Sequence, residues 1–212
     1  KPRGIHACTE CNCSSPKWLG RCPECGSWGT LQEEAPVAAG PVKTAALTPS
    51  APAHPITKIE AAATATVKSG IGELDRVLGS GVVPGSVVLM AGEPGVGKST
   101  LLLEVASRWA AQGRKALYVT AEESAGQVRA CAERTDALHD TLYLAAESNL
   151  DVVFGHVEQL KPSLLIVDSV QTMHAAGVEG VAGGVAQSRA VTAALTTLAK
   201  TTNIPVLLVG HV

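Results

Sequence analysis

Aromatic side chains are scarce: only 3% of the 212 residues are Phe, Trp or Tyr. A core of this chain must therefore be assembled from Val, Leu, Ile and Ala, which suits a buried parallel sheet covered by helices. Net charge is scarce as well, with 17 Lys and Arg against 19 Asp and Glu for a formal -2. That balance excludes a bulk electrostatic pull toward nucleic acid or an anionic membrane and leaves any such contact to local patches. No apolar run approaches the roughly 18 residues that cross a bilayer, and the start lacks the basic, apolar and small-residue sequence of a secretory signal. A cytoplasmic location without membrane contact is expected. The chain shows no internal repeat. It opens without Met and stops at Val212 just after an apolar stretch, so a truncated parent chain is expected.

What is present is uneven. Five of the six cysteines lie within the first 25 residues, and such crowding without an export signal points to metal before disulfides. Cys8-x-x-Cys11 and Cys22-x-x-Cys25 form two knuckles with ten residues between them, the spacing of a four-thiolate zinc site that holds a fold and does no chemistry. Two disulfides or free thiols are the alternative. Cys13 is expected to be a bystander, because Cys8 and Cys11 repeat the spacing of Cys22 and Cys25. Trp18 and Trp28 can stack on bases, but in so small a module they are expected to fill the miniature core around the metal. His6 is expected at the surface, and Cys131 as a small buried apolar residue in a helix. His54, His139, His156 and His174 show no ligand spacing.

Residues 1–33 have no apolar pattern long enough to form a core and need a metal staple. Residues 34–56 carry Pro36, Pro41, Pro49, Pro52 and Pro55 in an Ala-rich background, which denies helix and central strand and reads as a linker. Residues 57–212 repeat strand, turn and helix, the pattern of an α/β domain with a mostly parallel sheet. Strands are expected at Val87–Ala91, Ala116–Thr120, Thr141–Leu144, Leu164–Val167 and Val206–Gly210. Helices are expected at Gly72–Leu78, Lys98–Gln112, Ala125–Arg134, Asp151–Leu160 and about Ala186–Thr202. Ala175–Gly184 has four glycines and no periodicity, and is expected to be a mobile loop.

The chemistry concentrates in Gly92-Glu93-Pro94-Gly95-Val96-Gly97-Lys98-Ser99-Thr100, which follows an expected strand and opens an expected helix. In that context the motif is a P-loop: backbone N–H groups and the helix N-terminus cradle phosphates, Lys98 reaches the β- and γ-phosphates of ATP, and the Ser99 hydroxyl ligates Mg2+. Leu164-Leu165-Ile166-Val167-Asp168 is a buried strand ending in the carboxylate that a magnesium site requires. Glu122 and Glu123 follow another strand, so one of them can reach the crevice and activate the attacking water. His211, at the end of the last strand, can sense the γ-phosphate.

In order along the chain, these segments resemble the motifs of the bacterial RadA (Sms) family of DNA repair proteins. The likeness includes Cys8-Thr9-Glu10-Cys11, Ser15-Pro16-Lys17-Trp18-Leu19-Gly20-Arg21-Cys22-Pro23-Glu24-Cys25, Gly70-Ile71-Gly72-Glu73-Leu74-Asp75, the P-loop, Glu122-Glu123-Ser124 and Val167-Asp168-Ser169-Val170-Gln171-Thr172. It implies a RecA-like P-loop core behind a small zinc ribbon, and a DNA-dependent ATPase, helicase-like, that processes branched DNA in homologous recombination. It further implies single-stranded and branched DNA and the RecA recombinase as partners, a homo-hexameric ring, Glu122 as the water-activating acid, Met173–Gln187 as a DNA-facing loop and Arg189 as a basic contact beyond it. The family's Lys-Asn-Arg-Phe-Gly motif and Lon-like domain are not among these 212 residues, and Thr120-Ala121 stands where the family more often has Ser-Gly. Two other readings remain open from the residues alone: a nucleotide-gated switch or kinase not driven by DNA, and a zinc adaptor whose ATP site only regulates it.

Overall fold

The computed structural model describes residues 5–11, 13–15, 17–34, 53–58 and 65–211. It divides into two compact units, Lys1–Ile59 and Glu60–Val212. Most of the expected linker, residues 35–52, lies outside the described residues; near its end Ile56–Lys58 forms one 3-10 turn.

The first unit is a three-stranded antiparallel sheet of β1 (Ile5–Cys8), β2 (Ser14–Ser15) and β3 (Leu31–Glu34), in the order β2-β1-β3. Strands of two to four residues leave too little alternation to be seen in sequence. The interior consists of Cys8, Cys22 and Leu31, with Cys13 packed against them. This corrects the expectation for the tryptophans: Trp18 is 62% and Trp28 76% exposed. The buried interior is formed by Cys8, Cys22 and Leu31, and both indoles lie outside it. His6 is also not at the surface; it is half-buried in β1, with Nδ1 shielded and without a hydrogen-bond partner among the described residues.

The second unit contains α1 (Gly72–Val77), β4 (Val87–Gly92), α2 (Lys98–Ala110), β5 (Ala116–Thr120), α3 (Ala125–Arg134), β6 (Leu142–Ala146), α4 (Leu150–Leu160), β7 (Leu164–Asp168), α5 (Val185–Thr202) and β8 (Val206–His211). The five strands form one parallel sheet in the order β4-β8-β7-β5-β6. Successive side chains of a strand leave on opposite faces, and here both faces are apolar. Ala116, Tyr118, Leu164, Ile166, Leu207 and Val209 join the core under α2 and α3. Leu117, Val119, Leu165, Val167, Val206 and Leu208 join the core under α4 and α5. That two-sided burial is why the strands read as continuous apolar runs.

Helix ends follow local chemistry. The Ser124 hydroxyl accepts from the Gln127 N–H while the Gln127 side chain accepts from the Ser124 N–H, a capping box that starts α3. Asn149 caps α4 by accepting from the Asp151 N–H at 2.9 Å. Asn203 takes the left-handed conformation that ends α5, and Pro205 two residues later keeps the helix from resuming. Each observed boundary lies within two residues of the expected one. Among the described residues, no helix is long and apolar enough to cross a membrane.

Candidate nucleotide site and metal centre

Four thiolates converge in the first unit. The Sγ atoms of Cys8, Cys11, Cys22 and Cys25 all lie within 4.8 Å of one another. Cys8 and Cys25 are 3.7 Å apart, and Cys11 and Cys22 3.6 Å. A tetrahedral ion with four bonds of about 2.3 Å needs sulfur separations of roughly 3.8 Å. The Cys8–Cys25 and Cys11–Cys22 sulfurs are too far apart for a disulfide bond of about 2.05 Å, which favours metal over the disulfide alternative. The electrostatics ask for a cation. The Thr30 hydroxyl, 3.2 Å from Cys8 Sγ, draws that thiol down to about 6, and bonds from Ser27 lower Cys25. At Cys11 the Cys13 backbone pulls downward, yet desolvation and the sulfurs of Cys25, Cys22 and Cys8 push it up to about 12. Four sulfurs this close cannot all ionise without a metal between them. Cys13 packs beside the cluster without joining it.

In the second unit, strand register assembles the other site. β8 lies between β4 and β7, so His211 is in register with Gly92, and Asp168 in turn pairs with Thr120 on β5. The carboxyl ends of four neighbouring strands thus bring the loop after Gly92, His211, Asp168 and the Glu122–Glu123 turn to one edge, where ligands of open parallel sheets bind.

The loop from Glu93 to Gly97 leads directly into α2. Gly95 and Gly97 have φ of 80° and 89°, a region that side-chain-bearing residues avoid; this lets consecutive N–H groups turn toward the loop's centre. Lys98 is buried and its Nζ donates to the carbonyls of Gly92 at 2.8 Å and Glu93 at 2.7 Å. The ammonium is thereby held against the start of the loop, with Ser99 and Thr100 in the first turn of α2, an arrangement that can bind an anion.

Opposite it, buried Asp168 has two unlike oxygens. Oδ2 accepts from the Tyr118 hydroxyl at 2.7 Å, while Oδ1 is shielded and without a partner among the described residues. Burial pushes the Tyr118 phenol far above its ordinary value, so it stays protonated and donating. One fixed oxygen and one unsatisfied oxygen, at the same sheet edge as the loop that leads to Ser99, fit a hydrated divalent cation.

The paired glutamates separate. Glu122 Oε1 accepts from the Ser169 hydroxyl and lies 3.2 Å from His211 Nε2. Glu123 is instead tied by its backbone, whose N–H donates to Thr120 Oγ1 at 3.1 Å. Tyr118 and Ser169 are the participants that sequence reasoning missed. The only signal for Ser169 was its place next to Asp168, and for Tyr118 its place two residues before the end of its strand.

From this edge a packed route leads outward. Gln171 Nε2 donates to the His211 carbonyl at 3.1 Å, and a Cβ on Gly183 would stand 3.0 Å from the Gln171 carbonyl oxygen. The glycine-rich loop is not free along its length: buried Gln187 accepts from the Ala175 N–H at 2.8 Å and donates to the Val178 carbonyl at 2.6 Å. Arg189 is exposed, has no ion pair among the described residues and shares an open cleft of about 820 Å³ with Gln171, Gly183 and His211.

The family model described as AAA domain matches residues 53–212, and one described as Rubredoxin metal binding domain matches residues 6–33. The chain is 53% identical over 220 residues to a DNA repair protein RadA of Mycolicibacterium smegmatis, covering all of this chain and 47% of that protein. It is 42% identical to that of Streptococcus pyogenes serotype M1 and 39% to that of Bacillus subtilis, again over all of this chain and 47% of each relative. The chain thus spans about half the length of the curated relatives it matches. A parallel α/β unit with an AAA-domain match, a four-cysteine zinc ribbon in front of it and identity along the whole chain place this protein in the RadA family.

Proposed function

We propose that this chain is the zinc-ribbon and motor portion of a DNA-dependent, RecA-like ATPase that works on single-stranded and branched DNA in recombination and repair. The observation that carries the reading is the meeting of Lys98, Asp168, Glu122 and His211 at one sheet edge, joined through Gln171 to a glycine-rich loop. ATP is the substrate. The residues from Gly92 to Thr100 bind its phosphates, and magnesium held by Ser99 and Asp168 supplies charge neutralisation on the phosphoryl oxygens.

Glu122 is the base. Ser169 and His211 occupy its Oε1 and fix the carboxylate's direction, and Oε2 has no hydrogen-bond partner among the described residues and is left to accept from the attacking water. His211 touches both the base and, through its backbone, Gln171, so a change at the γ-phosphate can displace the 3-10 turn Val170–Thr172 and the loop that packs on it. We assign the loop Met173–Gln187 and Arg189 to DNA, and the completed machine to a homo-hexameric ring in the cytoplasm that cooperates with the RecA recombinase.

The test is DNA affinity as a function of nucleotide. Binding of a single-stranded oligonucleotide is expected to differ by at least about fivefold between ADP and a non-hydrolysable ATP analogue. Equal affinity in both would contradict a nucleotide-driven loop and favour a switch or kinase not driven by DNA.

A further inference from the structure

Two of the chain's three tryptophans lie where water reaches them, within a unit of a few tens of residues. Trp18 is 62% and Trp28 76% exposed, and Leu19 between them in sequence is 42% exposed. The two indoles belong to one patch: a Cβ on Gly20 would lie 3.7 Å from the ring of Trp28 and 4.0 Å from that of Trp18. The absence of a side chain at Gly20 therefore leaves the floor between the rings open.

The patch is rigidly mounted. Trp28 and Arg21 face each other in an antiparallel bridge, the Gly29 N–H donates to the Gly20 carbonyl at 2.9 Å, and Cys22 and Cys25 tie the same turn to the four-thiol cluster. Arg21 is exposed and its guanidinium lies over the Trp28 ring at 5.9 Å, oriented by its Nε donating to the Gly26 carbonyl at 2.8 Å. Lys17, also exposed, precedes Trp18.

Exposed π faces with the Arg21 guanidinium over one of them, and exposed Lys17 next to Trp18 in the chain, match one ligand chemistry closely: a base to stack and a phosphate to neutralise. We propose that the zinc module carries a stacking platform for unpaired nucleobases of single-stranded DNA, formed by Trp18 and Trp28 and flanked by Lys17 and Arg21. The platform contains no nucleotide-site residue and acts without ATP. It deepens the DNA reading above and rests on it.

The experiment uses the whole zinc-loaded chain without nucleotide. It measures anisotropy with a labelled oligo-dT of about 15 nucleotides and with an oligomer of equal length whose sugars carry no bases. Trp18→Ala and Trp28→Ala are each expected to weaken oligo-dT binding about tenfold, while Trp28→Phe, which keeps a π face, stays within about threefold of the parent. The base-free oligomer is expected to bind parent and variants alike. Oligo-dT is expected to quench the parent's tryptophan emission, against the constant background of buried Trp109. Zinc content of one ion per chain certifies each variant's fold.

Unchanged oligo-dT binding in both alanine variants overturns the platform and turns the exposed indoles toward a protein surface. Equal losses on the two oligomers also overturn it, since stacking needs bases. DNA-stimulated ATP hydrolysis in the same parent preparation separates the two readings. Stimulation without any tryptophan effect refutes the platform and leaves the motor standing, whereas base-dependent binding without stimulation supports the platform and removes the motor.

Discussion

Tyr118 and Asp168 lie 50 residues apart in the chain and 2.7 Å apart at the site. Replacing Tyr118 by Phe removes the donor to a buried carboxylate oxygen, a loss of about 1–3 kcal/mol that calorimetry would register as a melting point lowered by several degrees. The same change lets Asp168 rotate, so half-maximal hydrolysis is expected to need severalfold more magnesium. Glu122→Gln keeps the side chain's size and its Ser169 contact but removes the carboxylate we propose as the base. Hydrolysis should fall at least about 100-fold in a phosphate-release assay, with ATP binding within a few fold of the parent. Roles for the loop residues from Gly92 to Thr100 and for Asp168 could be proposed from sequence because their chemistry is contiguous and flanked by a strand. From the residues alone the choice between Glu122 and Glu123 stayed open, since adjacent residues differ only in the direction the turn gives them, and only the family resemblance pointed to Glu122. Tyr118 and Ser169 stayed hidden because strand pairing, rather than spacing, brings them to the acids.

Elements set what the loop can transmit. All five parallel strands could be placed from apolar runs ended by glycine or polar residues, because burial on both faces leaves a continuous signal. The loop beyond Asp168 showed only its glycines, and the Gln187 clamp across its first half is a long-range polar contact without periodic trace. Gly183 has φ of 79° and abuts the Gln171 carbonyl. Gly183→Val therefore forces loop and turn apart. DNA stimulation of hydrolysis is expected to fall at least fivefold more than hydrolysis without DNA, measured by the ratio of the two rates. The zinc module shows the opposite limit. Its cysteine spacing was plain, its short strands were invisible, and its tryptophans lie outside an interior made of Cys8, Cys22 and Leu31.

At the scale of the molecule, two compact units answer to different stabilising forces. The first depends on metal, so Cys22→Ser or a strong chelator should release zinc and abolish its structure, while the main thermal transition of the second unit moves by no more than about 2 °C. Acid should act in the same direction. Thr30 holds Cys8 near 6, well below the ordinary thiol value, so Cys8 competes well for zinc until the pH falls through that range. Thr30→Val removes the hydroxyl, raises the Cys8 value and should move zinc loss to higher pH, read by a chromogenic zinc indicator. The central claim concerns the second unit and its response to DNA. It is tested most directly by the rate of ATP hydrolysis with magnesium, with and without single-stranded DNA, in this chain and in Lys98→Ala. The account predicts stimulation by DNA that disappears in the variant; a rate indifferent to DNA, or one that survives the loss of Lys98, would contradict it.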